Sequence, residues 1–338
     1  RGAARRRICH TAAMNKVGGP VISTRRVSGA ERKRLHRAAA RDEYVRIAPG
    51  YLIEAQAYED LDDEDQSLAR VAAHADRVEN GVVVGRSAAL IHGLPVVDPP
   101  HLRGQRRVEI GKPRGRASRT AHLQYRSLAG AHSENQETVL TEFGSVQVTD
   151  VLTTCLDLAR WGTLEDAVRC LDHGLAAGLF TLEEVDRRVV ELAQVEGIDQ
   201  IRRAALLATA SSESPQESSL KVILWELGIA PPLQQVDVYS RRRVKIGRVD
   251  FFFPDLSLIV EYDGKEKYTL DPGTADKEYR QTKEYLRNGL FVVRLTDADL
   301  DNGVAAEIIE EFYRPRATNA LAYPEHLWVL EGEAAWRV

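Results

Sequence analysis

The sequence predicts a mixed α/β, multidomain protein, and three observations carry that prediction. Its 338 residues exceed the roughly 100 to 200 that a single domain uses. Hydrophobic residues make up 43% and charged residues 28%, the mixture of a chain that buries a core, not of a rod or a disordered coil. Segments of helical and of strand periodicity alternate, and the C-terminal part runs helix, three strands, helix, strand. Every apolar run, GVVVG and LSLIV among them, is interrupted well short of roughly 18 residues, so neither a membrane span nor a membrane partner is expected.

Residues 1–20 are expected to be a disordered or non-native extension, and residues 1–13 precede the sole methionine, Met14. Residues 21–85 read as a basic helix and a wing. From Ser28, GAERKRLHRAAA has helical character, and strand-like YVRI and YLIE flank a Pro49-Gly50 turn. The net charge of −4 hides an asymmetry, because only Glu31, Asp42 and Glu43 oppose thirteen Lys and Arg in the first fifty residues. Arg32, Lys33, Arg34 and Arg37 suit phosphates, which attract cations without reading sequence; they equally suit a solvated helix face.

A helix is expected over 57–77, with the acidic run Glu59 to Asp65 as a solvated face, and a shorter one from Ser87 to His92, stopped at Gly93-Leu94-Pro95. RRVEIG, AHLQYRSL, ETVLTEF and SVQVTD alternate with period two and predict a small antiparallel sheet in an α+β middle region, 86–210, whose second half is helical. Three helix starts follow: Thr149 or Asp150, then Thr163, then Thr181, which makes a capping box with Glu184 and has Phe180 as a staple. Cys9, Cys155 and Cys170 are odd in number and lack CxxC spacing, so no disulfide framework or zinc site is expected, which fits a reducing cytoplasm. The Ser-rich ATASSESPQ reads as a linker to a further domain, 214–312, and 313–338 as a tail with no assigned role.

The chemistry lies in GRVDFFFPDLSLIVEYDGKEK, residues 247–267. Asp250 sits inside an apolar strand, and Glu261 and Asp263 end the next. An ionised carboxylate in apolar surroundings must be paired, protonated or bound to a metal. Strand alternation points Glu261 and Asp263 the same way, and a hairpin at Phe253-Pro254-Asp255-Leu256 can bring Asp250 beside them. Such hard oxygens suit Mg²⁺ or Mn²⁺. Lys265 continues the series and can stabilise charge developing on a phosphate. Glu217 has two readings, as a metal-site acid or as the closing member of a capping box, Ser214-Pro215-Gln216-Glu217.

Asp250, Glu261, Asp263 and Lys265, in this order of elements, resemble the PD-(D/E)XK nuclease superfamily. More narrowly, SPQESSLKVILWELG, PLQQ, VDF, LIVEYDG and GLFVVRLTDADL resemble the domain of unknown function related to very-short-patch-repair endonucleases. The resemblance implies a restriction-endonuclease-like αβββαβ core that hydrolyses DNA phosphodiesters with Mg²⁺. Asp250 is then the principal ligand, with Glu261 and Asp263 beside it and Glu217 as an outer member. The acid-x-Lys signature fits either Asp263-Gly264-Lys265, or Glu261-Tyr262-Asp263 with Asp263 in the lysine slot. Gln235 is a further candidate, and Arg280 and Lys283 on the following helix serve phosphate or a solvated face.

RKRLHRAAARDEYVRIAPGYL, GRSAALIHGLP and VTDVLTTCLDLAR resemble AbiEi-type abortive-infection antitoxins, which implies an N-terminal winged helix-turn-helix that binds DNA. The expectation is therefore a cytoplasmic metal-dependent endodeoxyribonuclease with a DNA-binding module. The alternative is an antitoxin or transcriptional repressor whose nuclease-like domain is inactive and binds DNA, a toxin or another defence-system partner. RNA cleavage is a third reading. No segment identifies an oligomeric interface.

Overall fold

Side-chain caps fix where the helices begin. Ser28, Asp62, Asp150, Thr163 and Ser214 each accept a backbone N–H from three residues on, satisfying donors that the first turn leaves open. The acidic run Glu59–Asp65 has a local purpose here. Asp62 is an N-cap, and Asp63, Glu64 and Asp65 fill a first turn where the helix dipole favours negative charge. The computed structural model describes residues 21–96, 107–112, 117–128, 134–264, 274–332 and 334–337. Its architecture is mixed α/β, in two units, the first running through Gly162 with Glu191–Gly197 added, the second holding Thr163–Val190 and Ile198 onward.

In the first unit, β1 (Val21–Ser23), β2 (Tyr44–Ala48) and β3 (Tyr51–Glu54) form a sheet of order β1-β3-β2, with α1 (Gly29–Ala39) between its first two strands in sequence. Then come α2 (Ala55–Glu59) and α3 (Asp63–Ala75), where one helix over 57–77 was expected. A second sheet takes β4 (Val82–Val83), β5 (Val108–Lys112), β6 (Ser118–Arg119), β7 (Leu123–Ser127), β8 (Gln136–Thr141) and β9 (Gly144–Thr149), in the order β6-β7-β5-β4-β9-β8. Its β5–β7 and β4–β9 pairs are parallel, so it is mixed, not antiparallel. The period-two pattern marks strands but says nothing of their direction. Helices α4 (Gly85–Ile91) and α5 (Val151–Trp161) complete this unit, whose core includes Ile53, Ala69, Val83, Ile110 and Val148.

The second unit begins with α6 (Leu164–Ala176), α7 (Leu182–Glu191) and α8 (Ile198–Leu207), which the sequence had placed in the middle region. Thr181 and Glu184 make the expected capping box, and Phe180 is buried. Segment 208–216, expected as a linker, is integrated into the unit: Thr209 and Ser212 are buried, and the Thr209 N–H donates to Asp172 over 2.9 Å. Helix α9 (Pro215–Glu226) is docked on α6 by an interior ion pair. Lys221 Nζ lies 2.6 Å from Asp172 Oδ2, with the two side chains 0% and 2% exposed, and Ser218 Oγ donates to the same carboxylate.

The sheet of this unit has the order β13-β12-β11-β10-β14, built from β10 (Leu233–Tyr239), β11 (Lys245–Phe253), β12 (Leu258–Tyr262), β13 (Phe291–Leu295) and β14 (Trp328–Leu330). Strands β10, β11 and β12 are successively antiparallel, while β13 runs parallel to β12 after the crossover helix α10 (Thr274–Arg287). Helices α11 (Asp297–Asp301) and α12 (Ala305–Thr318) replace the single helix expected over 297–312. The break falls at Gly303, whose φ of 72° leaves the helical region. The segment expected to be a tail is part of the fold. It supplies β14 against β10, and Tyr323 and Leu327 join the core of Val236, Val249, Phe252 and Ile259. Among the described residues no helix is long and apolar enough to cross a membrane.

Candidate functional site

Two neighbouring strands and one helix place the acidic residues. Phe251 pairs with Val260 and Phe252 with Ile259, which sets Asp250 of β11 opposite Glu261 of β12. Asp250 Oδ2 accepts the Tyr262 N–H over 2.8 Å. Glu217 reaches Asp250 from α9. Its carboxyl is pushed up to about 7, first by burial and then by the charge of Asp250.

Glu217 closes a helix N-terminus, the second of its two readings. Its N–H donates to Ser214 Oγ over 3.1 Å, and its carboxylate accepts from Ser214 Oγ and from the Glu213 N–H, so it closes the N-terminus of α9. The same carboxylate accepts from Gln235 Nε2 over 3.0 Å. Gln235 lies between the pairs Gln234–Phe251 and Val236–Val249, across from Asp250, with φ at +55°. A non-glycine residue in the left-handed region costs on the order of 1–3 kcal/mol and concentrates at functional sites. This strained strand position holds a carboxamide that is 2% exposed and bonded to Glu217.

Glu261 has a different neighbour. It pairs across the strands with Arg294 of β13, whose Nε donates to Glu261 Oε2 over 2.9 Å. Arg294 Nη1 also donates to Thr282 Oγ1 of α10 over 2.5 Å. Tyr285, fully buried on the same helix, is pushed up by burial and then by the Glu261 charge. The Asp263 N–H donates to the Leu295 carbonyl over 2.7 Å and extends the β12–β13 pairing, and the residue is 8% exposed. Arg248 leaves this group and pairs with Glu213.

The structure thus bonds Gln235 to Glu217, puts Glu217 within the electrostatic reach of Asp250, sets Glu261 opposite Asp250, and gives Glu261 an arginine. Among the described residues no group of three or more His, Cys, Asp or Glu converges as an ion cage. Lys265 lies outside the described residues. Arg280 and Lys283 are exposed on α10, and Lys283 Nζ stands 4.3 Å from the Tyr279 ring centroid. On α1, Arg32, Lys33, Arg34 and Arg37 are all exposed, and Arg32 Nε is tied to the Thr24 carbonyl over 2.8 Å. Cys155 and Cys170 are buried, as their apolar helical settings predict. Arg294 was missed by the sequence reading, although a lone cation inside the apolar strand LFVVRLT is a signal of the same kind as Asp250.

No protein-family model matches the chain. It is similar to two proteins of Mycobacterium tuberculosis, Uncharacterized protein MT2308 of strain CDC 1551 / Oshkosh and Uncharacterized protein Rv2248 of strain H37Rv. Each is 27% identical over 113 residues, which is 33% of this chain and 41% of the relative's length.

Proposed function

We propose that the second unit is a Mg²⁺-dependent nuclease acting on DNA phosphodiesters, and that the exposed basic face of α1, in a winged-helix setting, binds the DNA backbone. One observation carries the reading. A helix, three antiparallel strands, a helix and a parallel strand carry buried Glu217 and Gln235 and half-buried Asp250, the element order that the nuclease resemblance implies. The donor set fits the ion. Burial and then the Asp250 charge raise the cost of ionising Glu217, and a divalent cation would relieve that repulsion in place of a proton. Two carboxylates are enough, because Mg²⁺ typically takes one or two and completes its shell with water and phosphate oxygens.

Glu217 and Asp250 would hold the cation, with Gln235 orienting the Glu217 carboxylate. When bound, the cation supplies charge neutralisation at the phosphoryl oxygens. The Tyr262 N–H holds Asp250 in position, and the Glu213 N–H and Ser214 hydroxyl do the same for Glu217. Arg294, opposite Glu261, brings positive charge to the same part of the sheet.

The test is nicking of supercoiled plasmid in Mg²⁺ or Mn²⁺, with loss of activity in EDTA and in Asp250→Ala, and with RNA run as a parallel substrate. A competing reading is an antitoxin or repressor whose second unit binds without cutting. It is favoured by the Glu261–Arg294 pair, which occupies a carboxylate that the nuclease motif assigns to metal. DNA retention with no nicking by wild type in either metal would select it.

A further inference from the structure

Gln235 holds a left-handed backbone inside β10, and a non-glycine residue stays in that conformation only where its surroundings over-determine it. On one side lies β11, whose pairs Gln234–Phe251 and Val236–Val249 bracket the residue. On the other side lie β14 and the residues that follow it. Leu330 pairs with Val236 and Ala334 bridges Leu233, so this segment takes four steps where β10 takes three. The extra residue falls opposite Gln235, as in a β-bulge, so both chains leave regular pairing at the same point. Two contacts lock that point. The Glu331 N–H donates to the Gln235 carbonyl over 3.1 Å. A Cβ added at Gly332 would meet the Gln234 carbonyl oxygen at 2.7 Å and Gln235 Cβ at 3.2 Å, so only glycine lets the segment lie this close to β10. The chain is anchored just beyond, where the Ala335 N–H donates to the Pro232 carbonyl over 2.8 Å and Arg337 Nη1 meets both carboxylate oxygens of Asp186 at 2.9 and 2.8 Å.

We infer that Glu331 and Gly332 are positioning residues for the Gln235 carboxamide and, through it, for the Glu217 carboxylate. Glu331 fixes the Gln235 carbonyl and Gly332 packs against the start of its side chain, so the backbone that aims the carboxamide at Glu217 is held from the β14 side. The consequence for cation binding rests on the nuclease reading above, whereas the hold on Gln235 stands without it.

The experiment follows solvent exchange of the Gln235 carboxamide protons by NMR in the ¹⁵N-labelled full chain without metal, the signals being identified by their loss in Gln235→Ala. Two variants break the hold differently. Gly332→Ala forces the segment off β10, while Glu331→Pro removes the N–H that meets the Gln235 carbonyl and leaves Gly332 in place. In each, carboxamide exchange should quicken by about tenfold, the weakening of one buried hydrogen bond, while the Phe252 and Ile259 amides of the β11–β12 pair keep wild-type exchange. Wild-type carboxamide exchange in both variants would overturn the inference, and so would quickening that Phe252 and Ile259 share, which marks a general loosening of the sheet. The second measurement is the Mg²⁺ concentration for half-maximal plasmid nicking. Gly332→Ala should raise it by about tenfold and add nothing in a Gln235→Ala background, since the two act through one side chain. An additive effect there would refute the route through Gln235. A quickened carboxamide in a protein that never nicks keeps the positioning assignment and removes the hydrolytic reading instead.

Discussion

Replacing Glu217 by glutamine removes one titrating proton while keeping the shape of the group that caps α9 and meets Gln235. In wild type the carboxyl rises from 4.5 to about 7 on folding, chiefly through burial and next through Asp250. Between those values the folded protein keeps a proton that the unfolded chain has released. Stability therefore falls as pH rises through that window, and it is flat on either side. At about 1.4 kcal/mol for each tenfold change in proton affinity, the fall is on the order of 3 kcal/mol, with no discount for solvent because Glu217 is 6% exposed. Glu217→Gln loses a hydrogen-bond acceptor, at about 1 kcal/mol, but that cost is the same at every pH. The variant gains on wild type between about pH 5 and about pH 8 by most of the 3 kcal/mol. Because the chain has two units, hydrogen exchange at the Val236 and Val249 amides, both in the core beside the site, is the suitable assay. Mg²⁺ at the higher pH stabilises wild type and not the variant, since it replaces the missing proton on two acids. A wild-type to variant difference that is equal at both pH values would refute the reasoning, because Glu217 would then be ionised throughout.

Lys221→Ala strands Asp172 as a buried charge and costs about 3–5 kcal/mol in urea unfolding, far more than any exposed lysine such as Lys33. Paired replacement of Lys221 and Asp172 by apolar residues of similar volume should recover much of that loss. His74 is buried, with Nδ1 lacking a hydrogen-bond partner among the described residues, and burial lowers it from 6.5 to about 4. Its folded state resists protonation, so stability that is full above 6.5 is lost as pH falls toward 4, by about 3 kcal/mol. His74→Leu should flatten that slope in hydrogen exchange at α3; an unchanged slope would assign the acid sensitivity to other groups. In the nicking assay Asp250→Ala should fall to background, and full activity in that variant would exclude it as a ligand.

Much of the second unit was legible because its signals are local. Ser214 and Glu217 at capping-box spacing, the apolar LQQVDVY and the Phe253-Pro254 turn each specify a conformation without distant help. The helix starts at Asp150, Thr163 and Thr181 were readable for the same reason. What was not legible depends on long-range pairing. Strand β14 is three residues long and gains its identity only by lying against β10, so 313–338 read as a tail. Ser and Thr at 208–216 have linker composition, yet Thr209 and Ser212 are satisfied by Asp172 and Lys221 or Gln234, partners that no local pattern reveals.

The same distinction separates the parts of the candidate site. Alternation along β12 is read as grouping Glu261 with Asp263, although β12 ends at Tyr262, and it says nothing of what the next strand brings beside Glu261. That strand is β13, and the parallel register that sets Arg294 against Glu261 is made by a crossover through α10. A helix-to-strand crossover carries the chain some thirty residues away before returning it, so the arginine was separated in sequence from the acid it meets. Gln235 shows the converse. Its φ of +55° is invisible in a run that otherwise reads as a regular strand, yet that turn of the backbone goes with a carboxamide bonded to Glu217. A site assembled this way depends on residues that break the pattern of their own strand, and a cation inside β13 and a strained amide inside β10 are such residues.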